Sequence, residues 1–171
     1  MPTTTLPWRK NTIEVRMERK TLNELLKWKE KKNRKPLLLT GVRQCGKTYI
    51  IKEFGKKEFE DTAYFNFDGN TGLQSVFDFD FDVGRIVDEL ANVVYGDKIV
   101  PGRTLVVFDE IQDCPSAVGA LKYFCDEAPE YHVACAGSLL GVRLSRETSA
   151  FPVGKVEFME MRPMSFSEFL K

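Results

Sequence analysis

Histidine is nearly absent from this chain of 171 residues: there is one, His132, beside four cysteines and two tryptophans. Each scarcity removes a class of chemistry. His132 sits inside the apolar segment Tyr131 to Ala136, which reads as a strand, so it is expected to be packed rather than catalytic. Cys45, Cys114, Cys125 and Cys135 show no C-x-x-C spacing and no histidine partner pattern, which indicates neither a zinc site nor a disulfide framework. No apolar run approaches the roughly 20 residues of a membrane span. Met1 to Lys10 lacks the hydrophobic centre of a secretory signal, and the expectation is a cytoplasmic protein without a membrane partner. Internal repeats and low-complexity linkers are also missing.

Net charge is zero, but it is unevenly spread. Residues 58–82 hold seven Asp/Glu and no Lys/Arg, whereas residues 1–35 hold 11 Lys/Arg against four Asp/Glu. A basic leader can touch nucleic acid or an acidic partner. The blander reading is a solvated helix face, because Leu22, Leu25 and Leu26 form an apolar stripe under the lysines. Thr21-x-x-Glu24 resembles a capping box at the start of that helix.

What is present is the composition of an ordinary globular domain, 43% hydrophobic and 29% charged, in a chain long enough for one real core. Strand and helix patterns alternate, which predicts an α/β layer structure with a largely parallel sheet. Pro36-Leu37-Leu38-Leu39, Ala63 to Phe67, Thr104 to Phe108, Tyr131 to Ala136 and Lys155 to Met161 read as strands. Between them, Ile50, Ile51 and Phe54 recur at helical spacing until Gly55. Val83, Ile86, Val87, Leu90 and Val94 do so after Asp82 and stop at Gly96. Val118, Leu121, Phe124 and Cys125 follow Pro115, and Pro129 closes that helix. The alternating Phe77-Asp78-Phe79-Asp80-Phe81-Asp82 reads as a half-buried strand or as a turn leading into the next helix.

The most informative stretch is Thr40-Gly41-Val42-Arg43-Gln44-Cys45-Gly46-Lys47-Thr48. Gly-x-x-x-x-Gly-Lys-Thr between an apolar strand and a helix is the spacing of a phosphate-binding loop. Glycines let backbone N–H groups converge as an anion nest, and the helix N-terminus adds its own donors and dipole. In that reading Gly41 to Thr48 cradle a nucleotide. Lys47 reaches the β- and γ-phosphates, and the Thr48 hydroxyl ligates Mg²⁺.

A second motif narrows the chemistry. Leu105-Val106-Val107-Phe108 runs into Asp109-Glu110, so two carboxylates stand at the carboxyl end of a buried strand, where open α/β sheets bind ligands. Asp109 is a candidate for the Mg²⁺ shell, and Glu110 for orienting and deprotonating an attacking water. Ser138, ending the next strand, is a candidate γ-phosphate or water contact, or else a plain turn residue. Asp109 is followed by Glu-Ile-Gln rather than x-x-Gly and no Asn-Lys-x-Asp occurs, which argues against a GTPase. The absence of Leu-Ser-Gly-Gly-Gln argues against a transporter-type ATPase. A nucleotide-operated switch with little turnover stays open beside an ATPase, as does a small-molecule kinase, although no acceptor pocket can be read.

"LLLTGVRQCGKT", "LVVFDEIQDCP", "ACAGSLL" and "VGKVEFMEMRPMSFSEF" together resemble, in order and spacing, a family of bacterial and archaeal AAA-type P-loop ATPases, the type-fourteen AAA domain. The resemblance covers about residues 15–171, with 1–14 as an N-terminal arm. It implies a three-layer P-loop fold of additional-strand topology, in which the strand at 131–136 lies between the phosphate-loop strand and the Asp109 strand. It also implies ATP and Mg²⁺ as cofactors, and a C-terminal domain that usually follows. The capping-box pattern Ser165-x-x-Glu168, so close to Lys171, leads us to expect that this chain stops short of that domain. AAA-type enzymes commonly take an arginine from a neighbouring subunit or a later domain, so a homo-oligomer is an expected partner. Arg143, Arg146 and Arg162 are candidates within the chain. Where many members have Gly-Arg before the last strand, this chain has Gly154-Lys155, and lysine cannot reproduce a bidentate arginine contact.

Overall fold

The computed structural model describes residues 12–138 and 151–161, with side chains from residue 20 onward. Its centre is a five-stranded, all-parallel sheet in the order β2-β3-β4-β1-β5. The strands are β1 (Leu37–Gly41), β2 (Asp61–Asn66), β3 (Thr104–Asp109), β4 (His132–Ser138) and β5 (Glu157–Met161). Every residue of β1 and β3 is buried, the signature of parallel strands covered on both faces. Edge strand β2 instead buries only Ala63 and Phe65. β4 is inserted between β1 and β3, pairing Leu37 with Ala134 and Leu105 with His132, which is the additional-strand order the family resemblance implies.

Side chains from successive strand residues point to opposite faces, and two separate cores follow. On one face α1 (Thr12–Glu30) and α2 (Lys47–Glu58) pack Leu25, Trp28, Ile50, Ile51 and Phe54 onto Leu37, Leu39, Leu105 and Val107. The other face carries α3 (Thr71–Ser75), α4 (Val83–Glu89) and α5 (Pro115–Glu127), with Phe67, Phe77, Ile86, Leu90, Leu121 and Phe124 set on Leu38, Val106 and Phe108. The result is a three-layer α/β/α domain. Trp28 joins α1 to the entry of β1, its Nε1 donating to the Lys35 carbonyl at 2.8 Å.

Several local expectations change. α1 begins at Thr12, so Thr21 lies within the helix and does not cap it, and residues 12–14 of the expected arm are helical. α2 runs through Gly55 to Glu58. Glycine is present there for space, since a Cβ would lie 2.3 Å from Thr62 Oγ1 on β2. The helix after Asp82, whose carboxylate caps Arg85 N at 2.7 Å, turns π-helical from Leu90 to Tyr95 before Gly96 ends it with φ 80°. For residues 77–82 the second of the two readings holds, a turn leading into the next helix: Phe77 is buried, Phe81 stacks on Tyr123, and Phe79 is exposed. His132 is packed, as expected, in edge-on contact with Trp28 and Phe59.

Candidate nucleotide-binding site

Because all five strands are parallel, their carboxyl ends meet along one rim. Gly41 registers with Ser138 and with Met161, and Asn66 with Asp109. The expected residues from the separate motifs therefore gather there.

The loop from Gly41 to Gly46 leaves β1 and enters α2 through a left-handed turn. Gly46 has φ 88°, a conformation that costs other residues a Cβ clash. Gly41 is constrained differently: a Cβ on it would lie 2.4 Å from the Met161 carbonyl oxygen and 2.9 Å from Cys45 Sγ. Gln44 also has positive φ, 61°, and among the described residues the only other non-glycine with positive φ is Glu110, at 51°. Backbone strain is thus concentrated at the two motifs, as is common at functional sites.

Lys47 is buried, and its ammonium turns back into the loop, donating to the Val42 carbonyl at 2.7 Å and the Gly41 carbonyl at 3.1 Å. Cys45 Sγ lies 3.8 Å from the same nitrogen. Val42, Arg43, Gln44 and Gly46 are exposed along the loop, Cys45 and Thr48 half-buried. The first turn of α2 has neither a side-chain cap nor an acidic residue of its own, so no side chain of the helix answers its first N–H groups.

Thr48 and Asp109 come from different motifs, yet Thr48 Oγ1 donates to Asp109 Oδ2 at 2.7 Å. Asp109 Oδ1 accepts the Glu110 N–H at 3.0 Å, and Asp109 is 4% exposed. A hydroxyl and a carboxylate in contact are the hard oxygen donors that a Mg²⁺ ion with bound phosphates takes from protein, so the residues present fit that ion. Glu110, just past the end of β3, accepts on Oε2 from Gln112 Nε2, and Gln112 Oε1 accepts the Ser138 N–H at 3.3 Å.

Two participants were not found from sequence. Tyr64, in the middle of β2, donates its hydroxyl to Asp109 Oδ2 at 2.5 Å, beside Thr48. Burial first, then the bond to Asp109 and the charges of Asp109 and Glu110, push this phenol well above its ordinary pKa, which keeps it a donor. Lys52 lies over the Tyr64 ring at 3.7 Å. The second is Gln112, whose only sequence signal is its place two residues after Glu110.

Lys155 is not part of this constellation. It precedes β5, at the opposite end of the sheet, and pairs with Asp126 of α5 at 2.6 Å. Arg143, Arg146, Arg162, Ser165 and Glu168 lie outside the described residues.

The AAA_14 family, described as an AAA domain, matches residues 33–170. The chain belongs to this AAA domain family. Among solved structures, this AAA domain is similar to a Walker-type ATPase of Pyrococcus abyssi, with a TM-score of 0.56 and 18% identity over 94% of this chain and 56% of that one. It is also similar to the Aeropyrum pernix ORC1 protein in complex with DNA, with a TM-score of 0.54 and 16% identity over 95% and 46%. A third is Drosophila ORC bound to AT-rich DNA and Cdc6, with a TM-score of 0.57 and 12% identity over 95% and 61%. At these identities the likeness is one of fold. The AAA domain thus spans about half the length of the structures it matches. No curated relative matches it. Among the described residues no helix is long and apolar enough to cross a membrane.

Proposed function

We propose that this AAA domain binds ATP with Mg²⁺ and hydrolyses it to ADP and phosphate, coupled to a conformational change. The observation that carries the reading is the contact between Thr48 Oγ1 and Asp109 Oδ2, which joins the glycine-loop helix to the acidic strand end. Bound Mg²⁺ would supply charge neutralisation on the phosphates, and Thr48 and Asp109 would hold it. Gly41 to Gly46 would surround the phosphates with backbone donors. The Lys47 ammonium exchanges two loop carbonyls for phosphate oxygens, and Glu110 orients and deprotonates water while Ser138 contacts the γ-phosphate or that water. The arginine that completes such a site would come from a neighbouring copy or a following domain.

Calorimetry with ATP·Mg²⁺ tests the binding half. Lys47→Ala is expected to abolish the heat, because a point charge on the phosphates is lost. Glu110→Gln is expected to bind as the parent does and to release phosphate at least about a hundredfold more slowly, the usual contribution of a general base. Parental affinity in the first variant, or parental turnover in the second, removes the corresponding half.

A second reading is a nucleotide-operated switch with little turnover. What favours it is the hydrogen bond from Gln112 to the Glu110 carboxylate, which ties up the oxygen that a general base would use. Phosphate release compared with the nucleotide dependence of partner binding separates the two. Two of the similar structures are complexes with DNA, and a nucleic-acid partner suits the basic leader. Against it, Lys29 and Lys31 are paired with Glu58 and Glu157, as on an ordinary solvated helix. A salt-dependent DNA filter-binding assay decides that point.

A further inference from the structure

Gln112 stands in the short 3₁₀ turn Ile111–Asp113 between β3 and α5. Its side chain spans two strand ends: Nε2 donates to Glu110 Oε2, and Oε1 accepts from the Ser138 backbone N–H. Only one orientation of the amide satisfies both. Rotated by half a turn, it would set oxygen against a carboxylate and NH₂ against an N–H. The bridge is therefore directional, with a donor for the acid and an acceptor for the strand.

We infer that Gln112 is a positioning residue that couples Glu110 to the carboxyl end of β4. The inference rests on the ATPase reading, in which Glu110 is the base and Ser138 the γ-phosphate contact. Three features support it. Glu110 is in a left-handed conformation at φ 51°, ψ 42°, so its backbone leaves the line of β3, and a side-chain tether selects where the carboxylate points. The tether comes from two residues away through a turn closed by Asp113 N to Glu110 O at 3.0 Å and Cys114 N to Ile111 O at 3.0 Å. The base of that turn is fixed too, because Ile111 and Cys114 are buried in the core beneath the sheet. A shift of the Ser138 peptide, when that end of β4 meets a γ-phosphate, then reaches the Glu110 carboxylate through one rigid amide instead of through the sheet. Glu110 would answer to the phosphate contact rather than act at all times.

The test uses the full chain and four substitutions. Gln112→Met keeps length and removes both hydrogen bonds. Gln112→Glu keeps an acceptor for the Ser138 N–H but sets a second carboxylate against Glu110. Both are expected to lower kcat about tenfold or more while ATP·Mg²⁺ affinity stays within about twofold, the pattern of a group that acts only on the chemical step. If Gln112 merely anchors β4, Gln112→Glu restores parental kcat, which overturns the inference, as does parental kcat in Gln112→Met. A second readout does not depend on turnover. In ¹⁵N-labelled protein, Gln112→Met is expected to move the Ser138 amide resonance, and Glu110→Gln the Gln112 side-chain NH₂ pair. Unmoved signals overturn the bridge. If the parent shows no phosphate release beyond that of Lys47→Ala, the hydrolysis reading falls, and the resonances alone decide whether Gln112 joins Glu110 to Ser138.

Discussion

Asp109 Oδ2 accepts two hydroxyls, from Thr48 at 2.7 Å and Tyr64 at 2.5 Å, and both matter because the carboxylate is almost entirely buried. A buried charged acceptor that loses one donor forfeits a charge-assisted hydrogen bond. Tyr64→Phe keeps the ring and removes that donor, so unfolding in urea is expected to show about 1–2 kcal/mol less stability with an unchanged m-value. An unaltered midpoint would mean that Thr48 and the Glu110 N–H satisfy Asp109 alone. Tyr64 was not legible in the sequence, because its role depends on β2 lying beside β3 in a register that pairs Tyr64 with Val107, near Asp109. The placement of Lys47, Thr48 and Asp109 at strand ends was legible, since local spacing after a strand sets it. Glycine at 41 was legible as a motif residue, but its physical reason, the approach of Met161 from β5, lies 120 residues further along the chain.

At the scale of elements, strands were easier to read than helix ends. β1, β3 and β4 are short apolar runs buried on both faces, and such runs admit few other readings. The start of α1 was misplaced because Thr21 and Glu24 have a capping spacing, while the helix is continuous through them. Gly55 looked like a terminator, yet close packing of α2 on Thr62 explains it. The seam between α1, α2 and β4 also holds a titratable group. His132 is 8% exposed, and its Nδ1 has no partner among the described residues. Burial first, then the charges of Arg34 and Lys29, lower its pKa to about 4, partly opposed by a hydrogen bond with the Lys29 backbone. The unfolded chain takes up a proton near pH 6.5 that the folded one refuses until about pH 4, so stability is complete above pH 6.5 and is lost as pH falls through that window. The loss between pH 7 and pH 5 is expected to be on the order of 1 kcal/mol, allowing for water reaching part of the ring. Melting curves over that range should slope less in His132→Phe than in the parent, and equal slopes would exclude His132 as the cause.

For the whole molecule, the additional-strand order came from the resemblance carried by four motifs in sequence, since periodicity alone does not say which strands are neighbours. The order has a functional side. It sets the end of β4 between the loop after β1 and the acids after β3, so Ser138 stands between the two motifs. Lys155 sits at the other end of the sheet, held by Asp126, so this position contributes no cation to the strand-end rim. Where an arginine finger is used it is worth about 10³ to 10⁵ in rate. We expect the isolated chain to bind ATP yet turn it over well below the roughly 1 to 10³ s⁻¹ of typical enzymes. A phosphate-release assay at several dilutions, with Lys47→Ala as the contamination control, checks this. Fast turnover that stays constant per molecule on dilution would mean that the chain carries its whole catalytic set.

The contact between Gly41 and Met161 has a mechanical side. The carbonyl oxygen of Met161 lies 2.4 Å from where a Gly41 Cβ would be, Cys45 Sγ is 3.9 Å from that oxygen, and the Met161 methyl lies 3.6 Å from where a Gly46 Cβ would be. The last residue of β5 therefore braces the loop from the side, and Met161 is bonded directly to the chain that follows. A pull on that following chain would act on the loop with a lever arm of one residue, without first deforming the sheet. Work done at one end would be felt at the other, so a load on the downstream chain would act as a brake or a throttle on what the loop holds.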